Sequence, residues 1–174
     1  MIMPAAELRK LVATTKTDDY IDFHLSAIES IIRAYTNNPF QVRSARFIGQ
    51  TLEFSNVLYG SPNCMRAGDT VQISGGTVND GLYTIKSVAE KSLLLDRYLD
   101  AADGMTVTKI QYPPDVVRCA VSMFAWQADM GEKVGVKSET LSRHSVTYED
   151  STGLFMGYPK GLLSALGPYR KARC

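Results

Sequence analysis

Between Asp69 and Val88 the chain reads DTVQISGGTVNDGLYTIKSV. Two runs with β-forming residues, DTVQIS and LYTIKSV, flank Ser74-Gly75-Gly76-Thr77-Val78-Asn79-Asp80-Gly81. In that linker glycine permits positive φ, and Asn and Asp side chains bond their own backbone, so it reads as a turn between strands. Gly75-Gly76 is too short to cradle a phosphate, since neither Gly-x-Gly-x-x-Gly nor a Walker lysine follows. On either side the same grammar continues in ARFIG, QTLEFS, SLLLD and MTVTKI, with a further turn at Ala67-Gly68-Asp69. Residues 43–111 are therefore expected to form an antiparallel β-module of five or six strands.

Outside that span the periodicity changes to that of helices. Pro4 followed by AAELRKLV predicts a short helix that starts near its proline, where a missing N–H does no harm. From Asp19 to Tyr35 two apolar rows run side by side: Tyr20, Phe23, Ala27, Ile31 and Tyr35, then Ile21, Leu25, Ile28 and Ile32. They cover about 200° of a wheel stepped at roughly 100° per residue, wider than one small bundle needs. This helix is therefore expected to touch two neighbours, one of them in another subunit. Asn37-Asn38-Pro39 ends this helix, because the residue before proline is pushed out of helical conformation. Pro113-Pro114-Asp115 starts another, VVRCAVSMFAWQADM, apolar on nearly every side and so expected to be central. Residues 131–157 carry no helical period, and a short helix from Pro159 to Leu166 precedes the basic tail GPYRKARC.

The expected fold is α+β: a small helical bundle with an inserted antiparallel β-module, a long extended arm and a C-terminal tail. Residues 1–42 and 112–174 form the helical domain, with the arm at 132–157 and the tail at 167–174, and the module occupies 43–111. The 174 residues suffice for one well-cored domain or one carrying an insert. A formal net charge of +1 provides no field to gather phosphate, which argues against a dedicated nucleic-acid binder. No apolar run is long enough to span a membrane, and Met1-Ile2-Met3-Pro4 lacks a signal-peptide pattern, so a cytoplasmic site of synthesis and no membrane partner are expected. Cys64, Cys119 and Cys174 are too far apart for a zinc ribbon, and reduced thiols are expected.

Within SETLSRHSVTYED, Ser138 to Asp150, serines, a histidine and two acids crowd together. A hydrolase would require a nucleophile on a sharp turn, a histidine oriented by a buried acid, and oxyanion donors. There is no Gly-x-Ser-x-Gly, and SRHSVTY resembles an extended strand, whose neighbouring side chains point to opposite faces. The other histidine, His24, falls on the apolar face of the second helix, without carboxylates at helical spacing. No enzyme activity, no metal and no cofactor are expected. A small hydrolase built on Ser142 or Ser145 with His144 is kept as the reading from another class.

In the C-terminal third, Pro113-Pro114-Asp115, then Lys137-Ser138-Glu139 with Ser142-Arg143-His144-Ser145-Val146-Thr147-Tyr148, then Gly157-Tyr158-Pro159 and Pro168-Tyr169-Arg170-Lys171-Ala172-Arg173 stand in an order and spacing that resemble head-tail connector (adaptor) proteins of long-tailed bacteriophages. Ala67-Gly68-Asp69 through Asn79-Asp80-Gly81-Leu82-Tyr83 is similar to the β-insert of some members, whereas Cys174 stands where an aromatic residue is expected. The resemblance implies a structural virion protein: a homo-oligomeric ring, usually dodecameric, beneath the portal at the head-tail junction. Such a ring assembles in the host cytoplasm, contacts a neck or tail-completion protein, and lets DNA pass non-specifically through its lumen. Another neck or tail ring, a stopper or tail-completion protein, is the alternative. On this reading Ser142, Arg143, His144, Ser145, Val146, Thr147 and Tyr148 clamp a neighbouring subunit by strand addition, together with Ile21, Leu25, Ile28 and Ile32. Tyr158, Pro159, Pro168, Tyr169, Arg170, Lys171 and Arg173 grip the portal.

Overall fold

The computed structural model describes residues 2–130, 138–141, 144–147 and 154–172. The chain divides into two compact units, one made of Met1–Pro4 and Pro39–Tyr112, the other of Ala5–Asn38 and Pro113–Cys174.

The first unit is a closed barrel. Its strands are β1 (Gln41–Thr51), β2 (Ser55–Tyr59), β3 (Thr70–Ser74), β4 (Gly81–Ala89), β5 (Ser92–Leu99) and β6 (Ala102–Ile110), in the order β1-β2-β5-β4-β3-β6. All pairings are antiparallel, and β6 closes on β1 from Gln41↔Ile110 to Thr51↔Ala102. Alternate residues point inward and make one apolar core that includes Leu58, Val71, Ile73, Ile85, Leu95 and Val107. Irregular register between Gln41 and Arg46, Gly49 and Thr51, Ser55 and Val57, and Ile85 and Ser87 bends the strands enough to close the sheet.

This closure overturns the expected fold class. The molecule is β-rich, and the strands are not a module carried by a small helical bundle but a barrel with a complete core of its own. Local alternation could not reveal it, because closure depends on pairing β1 with β6 across some sixty residues of sequence. One strand was also misplaced. QTLEFS is not a strand: Gln50 and Thr51 end β1, the Thr51 hydroxyl donates to the Glu53 carbonyl at 2.8 Å to form a bend, and the next strand is Ser55–Tyr59. Leu52 and Phe54 alternate like strand residues yet lie exposed in the bend.

In the second unit, α1 (Ala5–Leu11) and α3 (Pro114–Met130) pack on α2 (Asp18–Thr36), and α4 (Lys160–Ser164) packs on α3. The Thr17 hydroxyl caps α2 by accepting from the Tyr20 N–H at 3.3 Å, and Asn37 ends it in left-handed conformation. Arg9 fixes the α1–α2 connection by donating to Asp18 and to the carbonyls of Thr14 and Lys16. Leu8, Ile21, Leu25, Ile28, Ile32, Val116, Ala120 and Phe124 make the buried core. Two short ribbons complete the described residues: β7 (Ser138–Leu141) with β8 (His144–Thr147), and β9 (Leu154–Phe155) with β10 (Tyr158–Pro159).

Candidate functional site

The residues that the sequence singled out gather in the second unit, on three surfaces. On α2, the row Ile21, Leu25, Ile28 and Ile32 is fully buried within the chain. The assignment of these four to a subunit interface is therefore corrected, since a side chain already in the core has no surface to offer a neighbour. The other row faces outward: Phe23 is 71% exposed, Ala27 is exposed, and Tyr20, Ile31 and Tyr35 are half-buried. His24 lies in this row, 4.1 Å from the Tyr20 ring and edge-on to Phe23 at 5.5 Å between ring centres. Burial pushes its pKa below the ordinary value, and the Lys16 charge adds to the effect. Neutral imidazole is thus the favoured form in this aromatic patch.

The second surface is the ribbon. β8 pairs antiparallel with β7 in the register Ser138↔Thr147, Glu139↔Val146, Thr140↔Ser145 and Leu141↔His144. The expected arm of β-formers without a partner is corrected: His144, Ser145, Val146 and Thr147 have one in the same chain. Ser142, Arg143 and Tyr148 lie outside the described residues, as does much of the span 132–157. In sequence, the Ser-Arg between the two strands lacks the Asn-Gly signature by which hairpins are recognised, which is why the pairing was not legible.

The tail forms the third surface, folded onto the helices. The Tyr158 hydroxyl donates to Gln127 Oε1, and its buried ring packs on Trp126 at 5.6 Å. Burial raises the pKa of this phenol. Pro159, half-buried, precedes α4, whose Leu162 carbonyl accepts the Cys119 thiol proton at 3.1 Å. Beyond α4, one 3-10 turn, Gly167–Tyr169, carries exposed Pro168. The Tyr169 hydroxyl reaches Asp115 at the start of α3, the Lys171 N–H donates to the Thr36 carbonyl at 2.8 Å, and Arg170 lies over the Tyr35 ring at 5.2 Å. Asn37 and Asn38 donate to the carbonyls of Ala172 and Tyr169. Of the residues assigned to the portal, Tyr158 is buried, while Pro168, Arg170 and Lys171 remain exposed and Arg173 lies outside the described residues.

Sequence reasoning missed the partners that hold the tail. Asp115 and Asn37-Asn38 read only as helix punctuation, yet the same side chains anchor the last residues. A polar cluster at the ends of two helices, ahead of a basic tail that carries Tyr169, was the available signal. Among the described residues no group of three His, Cys, Asp or Glu is arranged to hold a metal ion, and no helix is long and apolar enough to cross a membrane. Compared with known proteins, the chain matches no family model and no curated protein.

Proposed function

We propose that this chain is the subunit of a head-tail connector (adaptor) of a long-tailed bacteriophage, a ring bound beneath the portal that joins capsid to tail and lets DNA pass. The observation that carries the proposal is the ribbon of β7 and β8, a sheet of only two strands among the described residues. Two strands alone are marginal in water, and their outer edges present unpaired N–H and C=O groups that a third strand from a neighbour can meet. Repeated around a ring, this contact is heterologous and self-closing. The outward row of α2, in which Phe23 is the most exposed aromatic, gives the same unit an apolar patch for a neighbouring copy.

The portal-facing role falls to the part of the tail that stays exposed, Pro168, Arg170 and Lys171, held by Tyr169 against its own helices. A net charge of +1 suits a conduit, because a strongly basic lumen would retain DNA by counterion release. Native mass measurement of the protein alone and mixed with isolated portal tests the proposal. A defined multiple of 19.2 kDa bound to the portal is the expected result. Failure to bind any portal or neck ring at micromolar concentration would remove the reading.

A further inference from the structure

One pole of the barrel combines two properties that soluble surfaces usually keep apart. Three connections meet there. The register pairs Thr51↔Ala102 and Ser55↔Leu99 set the β1–β2 bend beside the start and end of the β5–β6 turn. Asn79, in the β3–β4 connection, donates from Nδ2 to the Asp100 carbonyl at 2.8 Å and accepts the Asp100 N–H at 2.9 Å, joining the third connection to the second. Asn79 is itself buried, and its carbonyl accepts the Tyr83 hydroxyl proton at 3.0 Å. The pole is thereby held in one arrangement.

On this fixed platform Leu52, Phe54, Val78 and Tyr98 are 69%, 68%, 71% and 62% exposed. The rings of Phe54 and Tyr98 stack nearly parallel, 12° apart with centres 5.1 Å apart, and form a flat apolar plate. The same three connections carry four exposed carboxylates, Glu53, Asp80, Asp100 and Asp103; a cation beside them, Arg97, lies over the Tyr83 ring at 4.6 Å and donates to the Leu82 carbonyl, so acids remain in excess. Two of them also shape turns, Asp80 accepting from the Gly76 N–H and Asp103 from the Gly104 N–H, but neither bond removes a charge. In a chain of net charge +1, this is a local concentration of negative charge around exposed aromatic surface.

We propose that this pole is a docking surface for a protein segment that carries arginine or lysine beside aromatic or aliphatic side chains. Charge complementarity selects the partner: the carboxylates attract and orient cations, while the apolar plate supplies contact area that is already ordered before binding. Phosphate backbones and anionic lipid headgroups meet four like charges instead. A second copy docked pole to pole would bring the same four carboxylates face to face. This surface lies in the barrel, and its test needs neither portal nor ring, so its outcome is separate from that of the connector reading.

The test uses the full chain and a fluorescein-labelled peptide, GRWRLRG, read by anisotropy. Two control peptides replace either Trp and Leu by Ser or all Arg by Gln. The full peptide should bind the protein at least about tenfold more tightly than either control. Phe54→Ser with Tyr98→Ser should remove the advantage over the first control. Glu53→Gln with Asp100→Asn, which keeps shape and the backbone bonds to Asn79, should remove the advantage over the second. Unchanged melting of each variant shows that the barrel is intact. Equal binding of the charge-only peptide, or indifference to both double variants, overturns the proposal. So does self-association that Phe54→Ser with Tyr98→Ser abolishes, which would assign the pole to a second copy, or binding there of duplex DNA or of phosphatidylserine vesicles.

Discussion

The hydroxyl of Tyr169 lies 2.7 Å from one carboxylate oxygen of Asp115 and 2.8 Å from the other. This bond holds Asp115 below its ordinary pKa of 3.8 and is the largest cause that raises Tyr169 above 10.0. A carboxyl with a lower pKa in the folded chain adds stability above its unfolded value and loses it as pH falls through the folded one. A phenol with a raised pKa adds stability below its ordinary value and loses it as pH rises through the folded one. The latch is therefore strongest between about pH 4 and pH 10. Tyr169→Phe should lower the melting temperature at pH 7 by a few degrees, and the gap should narrow below pH 3.8. An equal gap at pH 7 and at a pH low enough to protonate Asp115 would show that the carboxylate charge adds nothing to the bond.

His24 should titrate below 6.5, with burial the main cause and Lys16 the lesser one. A depressed histidine adds stability above its unfolded pKa and loses it as pH falls through the folded value. Lys16→Gln should recover only part of the shift, measured by NMR titration of the imidazole. Complete recovery would mean that charge, not burial, sets it.

Leu25→Ala removes a fully buried side chain from the helical core and should cost about 2–5 kcal/mol in denaturant unfolding. Phe23→Ala, on the outward row, should change stability by no more than ~0.5 kcal/mol. On the connector reading its effect should appear in ring assembly instead. The reverse ranking would return Ile21, Leu25, Ile28 and Ile32 to an interface role.

A Cβ at Gly60 would sit 2.3 Å from Phe47 Cε2 and 3.1 Å from the Ile48 carbonyl oxygen. Gly60→Ala should destabilise the barrel by about 1–3 kcal/mol through overpacking. Thermal unfolding followed by near-UV circular dichroism checks this, since the helical signal near 222 nm should be less affected.

Val146→Pro takes the backbone N–H from a residue in register with Glu139 and fixes its φ. The ribbon should open while the helical core, made by other residues, keeps its melting. On the connector reading the variant should fail to assemble with portal. Assembly at undiminished affinity would mean that strand addition is not how subunits hold each other.

How legible the fold was depended on the range of the interactions involved. Helix limits were readable because Pro4, Asn37-Asn38-Pro39 and Pro113-Pro114-Asp115 act on adjacent backbone. The burial of Ile21, Leu25, Ile28 and Ile32 was not, since a wide apolar face does not say which half meets its own chain. Closure of the barrel escaped because it depends on a long-range pair, β1 with β6. The error at QTLEFS is informative in another way: Leu52 and Phe54 kept strand-like alternation in a bend, where no core requires them. Sequence patterns that fail locally often mark a surface under another constraint, and these two residues belong to the acidic, aromatic pole.

Gln41 and Ile110, the first and last residues of the barrel strands, are register partners. The chain thus arrives and departs on adjacent strands, whose spacing is about 4.8 Å. A short Gly-Ser bridge can therefore span the gap left by removing the strands, but Met1–Pro4 belongs to the same unit, so buried Ile2 and Met3 must travel with the barrel or lose their cover. A reporter domain with equally close ends is the natural graft at this point of the chain.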